Sequence, residues 1–156
     1  MNIKQIAAAF LASAGLLISA TVQAADARVV IEPVKSVFDH YLKIQAELAK
    51  DSLQAVDKVA AAISKSIRED QAKTFSPDIA KQADALAAAQ DLKAARSAFK
   101  TLSASLIQYL AENKDSKGSY HEAYCPMARA SWLQADKQIA NPYLGLEMPS
   151  CGTIKN

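Results

Sequence analysis

The stretch DLKAARSAFKTLSASLIQY, Asp91 to Tyr109, decides the reading of the fold. Leu92, Ala95, Phe99, Leu102, Leu106 and Tyr109 follow one another at alternating steps of three and four. That spacing draws one apolar stripe along a helix and keeps it facing a near-parallel neighbour. Asp91 stands where an N-cap carboxylate accepts a backbone N–H. Outward from this segment the same period recurs. Val34, Val37, Phe38, Tyr41, Ile44 and Leu48 form one face, with Pro33 suited to the first turn. Leu53, Val56, Ala60, Ile63 and Ile67 form a second, with Asp51 or Ser52 expected as its cap. Arg68 to Ser76 is polar and ends in Ser76-Pro77-Asp78, a turn feeding a third, short helix marked by Ile79, Ala83 and Leu86. Four helices with short connections predict an all-α, up-down-up-down four-helix bundle.

Lys114 to Ser119 breaks the pattern and reads as a linker. Beyond it lies an irregular C-terminal segment, 119–156, expected to fold back on the bundle. Tyr120 to Cys125 suggests a short strand, and one small β-hairpin fits there. Asn141-Pro142-Tyr143-Leu144-Gly145 carries strong turn chemistry.

Residues 1–24 have the layout of a signal peptide: Lys4, an apolar run from Ile6 to Ala20, and Val22-Gln23-Ala24 as a cleavage site. Cleavage is expected after Ala24, leaving a single domain, 25–156, expected in the periplasm with no stable membrane insertion of the mature chain. The net charge is only +2, and no basic stripe stands out, so nucleic acid is not expected as a partner.

The chemically soft residues gather at the end of the chain. Apart from Met1, the cysteines and methionines form two clusters, Cys125-Pro126-Met127 and Met148-Pro149-Ser150-Cys151. The lone tryptophan, Trp132, lies between them. Thiolate and thioether donors select Cu(I) or Ag(I) over hard cations. If the clusters meet, Cys125 and Cys151 supply anionic ligands and Met127 and Met148 neutral ones. His121 lies an even number of residues before Cys125, on the same face of a strand, and offers a fifth donor. Trp132 and Tyr143 would shield such a site or form a local core. A second reading stays open. An oxidising compartment and two cysteines favour a Cys125–Cys151 disulfide. Closing the loop between them would stabilise the fold by about 3–3.5 kcal/mol. The methionines would then be packing residues.

Enzymatic signals are weak. There is no Cys-x-x-Cys pair, and a Cys125–His121 nucleophile lacks an orienting third group, so no catalysis is expected.

The series Tyr124-Cys-Pro-Met-Ala128, Trp132-Leu-Gln134, Ile139-Ala-Asn-Pro-Tyr143, Gly145 and Met148-Pro-Ser-Cys-Gly152 resembles the bacterial secreted family called domain of unknown function 3347. The resemblance is densest over 120–155 and extends loosely over 34–155. Members of that family occur alone and fused to periplasmic adaptors of heavy-metal efflux systems. The resemblance therefore implies copper or silver handling, by sequestration or by hand-over to an efflux adaptor or metallochaperone. The alternative is a disulfide-stapled helical interaction module of an efflux or envelope complex that holds no metal.

Overall fold

The computed structural model describes residues 32–114 and 120–155. The signal peptide expected at 1–24 lies outside the described residues, as does most of the linker. Four helices follow in order: α1 Val34–Leu48, α2 Val56–Glu69, α3 Pro77–Ala87 and α4 Leu92–Glu112. Each packs on the next, and the expected bundle is the observed one. The predicted faces are buried. In α4, Ala95, Phe99, Leu102 and Leu106 are all at 0 % exposure. Buried alanines at 60, 80, 83 and 95 let the helices approach closely, while aromatic rings fill the wider gaps. Tyr41 stacks on Phe99 with ring centres 4.8 Å apart, and Phe75 meets Tyr109 at 4.4 Å.

Two caps form as expected. The Ser76 hydroxyl accepts from Asp78 N–H, and the Asp91 carboxylate accepts from Ala94 N–H at 2.8 Å. The expected cap of α2 does not form. That helix starts after Ala55, which adopts a left-handed conformation with φ of 58°, and no side chain caps it. Asp51 is taken by tertiary partners instead: it pairs with Arg96 and accepts from Leu146 N–H. Ser52 accepts from Gln54 N–H. Within the polar stretch after α2, Phe75 is buried at 4 % exposure. Asp70 turns the chain by accepting from Ala72 and Thr74 N–H groups, which returns Phe75 to the core.

The C-terminal segment is more ordered than one hairpin. Strands β1 His121–Cys125, β2 Ala130–Gln134 and β3 Thr153–Ile154 form an antiparallel sheet in the order β2-β1-β3. The β1–β2 register pairs His121 with Gln134 and Cys125 with Ala130. Four residues, Pro126 to Arg129, make the turn, and Arg129 takes φ of 48°. The sheet packs through β2 on α4 and α1. Tyr41 joins the layers: its hydroxyl bonds Ser103 of α4 at 2.8 Å and accepts from Leu133 N–H of β2 at 3.1 Å. Among the described residues, no helix is long and apolar enough to cross a membrane.

Candidate functional site

Cys125 ends β1. Alternation along the strand turns Ala123 and Cys125 inward and Tyr124 outward, and Cys125 is fully buried. Cys151 follows a turn in which its N–H bonds Met148 C=O at 3.1 Å, and it is partly exposed. Both are free thiols. Strand β1 pairs with β3 so that Tyr124 stands opposite Thr153, and Gly152 lies against the Tyr124 carbonyl, which brings Cys151 beside Cys125.

The segment between β2 and β3 makes this meeting possible, and two buried amides organise it. Gln134 accepts from Trp132 Nε1 at 3.0 Å and donates to the carbonyls of Asp136 and Gln138. Asn141 is fully buried. Its Oδ1 accepts from Tyr143 and Leu144 N–H groups, and its Nδ2 donates to Cys151 C=O at 2.7 Å. Asn141 thus ties Cys151 to this loop. Arg96 anchors that loop to the bundle, donating to Pro142 C=O at 3.0 Å and to Leu48 C=O at 3.1 Å. Gly145 has φ of 52° and passes so close to the Asp51–Arg96 pair that a Cβ would overlap it.

The donors around Cys125 favour negative charge on its sulfur. Ala128 N–H reaches Sγ at 3.4 Å, and Met127 supplies the neighbouring N–H of the same turn. Burial works to raise the Cys125 pKa. The Cys151 S–H, the two turn N–H groups and the Asn141 side chain outweigh it, so the thiol sits below its ordinary value. Cys151 moves the other way, because its proton serves that bond, burial disfavours its charged form, and Cys125 lies close by.

The remaining expected residues separate into groups. Met127, two residues after Cys125, and Met148, whose carbonyl accepts from Cys151 N–H, hold their side chains in solvent at 68 % and 39 % exposure. Trp132 is fully buried and meets Tyr143 edge-on at 5.9 Å. Tyr143 donates to Ser131 C=O at 2.7 Å. These rings form a local core beside the pair. Gly152, next to Cys151, lies over Trp132: a Cβ there would stand 2.7 Å from the indole. His121 occupies the far end of β1, opposite Gln134. Four residues of extended strand separate it from Cys125 by about 13 Å. It shares the face of Cys125 and is not brought to the pair. Among the described residues, no three side chains of the His, Cys, Asp and Glu types gather closely enough to hold an ion.

The family described as "Protein of unknown function (DUF3347)" matches residues 37–118. The chain belongs to that family. The matched residues of this DUF3347 chain run from α1 through the end of α4, while the motifs over 120–155 lie beyond the match. No curated protein and no solved structure matches the chain. The family description assigns no activity, so function rests on the site itself. Sequence reasoning did not single out Gln134 or Asn141 as residues that build it. Both stood inside the motifs of the family resemblance, and Asn141-Pro142 favours an Asx turn, but neither signal said what the turn would hold.

Proposed function

We propose that the Cys125–Cys151 pair binds a soft monovalent ion, Cu(I) or Ag(I), with Met127 and Met148 as neutral donors. The observation that carries the reading is that the β1–β3 pairing sets two thiols from opposite ends of a long loop beside each other. Their donor chemistry fits such an ion. Two sulfurs share one spot, one of them is already disposed to lose its proton, and solvent-facing thioethers stand on the same two turns. Partial exposure of Cys151 gives the ion a way in and out. The role that suits this arrangement is capture in the periplasm, followed by sequestration or transfer to sulfur ligands of an efflux adaptor or metallochaperone.

The approach of the two sulfurs also favours a second reading, in which they close as a disulfide and the domain serves as an interaction module. One experiment separates the two. Alkylatable thiols are counted in protein taken from the periplasm, and the reduced protein is then titrated with Cu(I) against a chromogenic chelator. Competition at one ion per chain supports the metal reading. Failure of the reduced protein to compete at all sinks it.

A further inference from the structure

We infer that the Cys125–Cys151 pair is a thiol–disulfide exchange site of fixed polarity. Cys151 is the sulfur that an external thiol or disulfide meets, and Cys125 is the sulfur that closes or releases the bond from within. This inference stands on the thiol geometry alone. Only its consequence for a bound ion rests on the function proposed above.

Three features set the polarity. The first is access. Cys125 is fully buried behind the β1–β2 turn, whereas Cys151 is partly exposed at the end of the exposed run Met148-Pro149-Ser150. The second is proximity, since the β1–β3 pairing of Tyr124 with Thr153 and the seat of Gly152 against the Tyr124 carbonyl hold Cys151 beside Cys125, and two thiols so placed need little movement to join. The third is the setting of each sulfur. Ala128 N–H reaches Cys125 Sγ at 3.4 Å, and such a donor holds the negative charge of a departing thiolate.

In reduction, an external thiolate attacks Cys151 Sγ. The Cys125–Cys151 bond breaks, and its electron pair leaves on Cys125 Sγ, which the Ala128 N–H faces. Cys151 now carries a mixed disulfide. A second external thiolate attacks the external sulfur of that disulfide, releasing Cys151 as a thiolate that takes a proton from water. Two external thiols have become one external disulfide, and two electrons have passed to the protein. Oxidation is the reverse. Cys151 thiolate attacks an external disulfide and expels one thiolate, and Cys125 thiolate then attacks Cys151 Sγ and expels the other. The oxidised pair has lost both thiolates, so exchange with a small thiol or a dithiol protein sets when a soft ion can be held.

The test uses metal-free protein in the presence of a chelator. The pair is closed with oxidised glutathione, treated briefly with limiting reduced glutathione, quenched in acid and digested with trypsin. Cleavage after Lys117, Arg129, Lys137 and Lys155 puts the two cysteines on separate peptides. Glutathione is expected on Cys151 in about tenfold or greater excess over Cys125. Equal labelling, or an excess on Cys125, overturns the assignment, and so does a pair that oxidised glutathione fails to close. The single variants give an independent reading. Cys125→Ser, which leaves Cys151, should react with an aromatic disulfide about tenfold faster than Cys151→Ser, which leaves Cys125 buried. Similar rates overturn it. Failure here leaves the Cu(I) titration of the reduced protein standing, and failure of that titration leaves the exchange result standing.

Discussion

Tyr41→Phe isolates what holds the C-terminal sheet to the helices. The ring is fully buried in α1 and stacks on Phe99, and the substitution keeps both features. Only the hydroxyl is removed. That oxygen accepts from Leu133 N–H, on the side of β2 that faces away from its partner strand, and it bonds Ser103 Oγ. Burial, with Tyr143 nearby, pushes its pKa well up, so it acts as a neutral hydroxyl at ordinary pH. Without it, Leu133 N–H is left in a dry interior with no acceptor, at a cost of about 1–3 kcal/mol. Ser103 loses less, because its hydroxyl can turn to a carbonyl of its own helix. We expect a loss of about 2 kcal/mol. For a domain of this size that corresponds to a fall in Tm of about 8 °C. Urea unfolding followed by Trp132 fluorescence suits the test, since the lone tryptophan is buried in the same strand as Leu133. Ser103→Ala should cost under about 1 kcal/mol. A Tyr41→Phe protein within about 0.5 kcal/mol of the parent would refute the claim that this hydroxyl carries the docking.

Gly152→Ala should destabilise the domain by about 1–3 kcal/mol, because its Cβ would press on Trp132 and the Tyr124 carbonyl at a residue with φ of 147°. Urea melts check the stability, and thiol counting after mild oxidation should show a pair that closes less readily than in the parent. The double variant Met127→Leu, Met148→Leu should leave stability within about 0.5 kcal/mol, since both side chains face solvent. It should weaken Cu(I) binding by about tenfold in chelator competition, and an unchanged affinity would remove the thioethers from the donor set. Stability should fall in acid. Arg68, with Ser64, holds the Asp84 carboxyl below the usual carboxylate range, and the Thr74 hydroxyl and N–H, with Ala72 N–H, do the same for Asp70. A depressed folded pKa contributes stability that is present above the unfolded value of about 4 and is lost as pH falls through the folded value. The stability gap between the parent and Asp84→Asn should therefore be widest at neutral pH and close towards pH 3; denaturant melts showing a constant gap would contradict this.

The helices were legible because their signal is local. Ala95, Phe99, Leu102 and Leu106 announce a buried face by spacing alone, and Ser76 and Asp91 cap the helices they precede. The cap expected from Asp51 failed because a partner remote in sequence, Arg96, claims that carboxylate, and no local pattern carries such information. Phe75 was hidden inside a polar run whose turn depends on one aspartate. Strand β3, two residues long, is too short for alternation to show. At the site, residue types were readable and distances were not. Even spacing correctly put His121 on the face of Cys125, but the length of the strand separates them. The meeting of Cys125 and Cys151 depends on the buried amides of Gln134 and Asn141, which satisfy an irregular backbone and have no periodic signature.

The central claim, that the two thiols hold a soft ion, is tested most directly by copper K-edge X-ray absorption. The reduced protein is loaded anaerobically with one equivalent of Cu(I). The account predicts a first shell made only of sulfur, with Cys151→Ser losing most of the bound copper. A shell dominated by nitrogen or oxygen, or copper retained in full by Cys151→Ser, would contradict it.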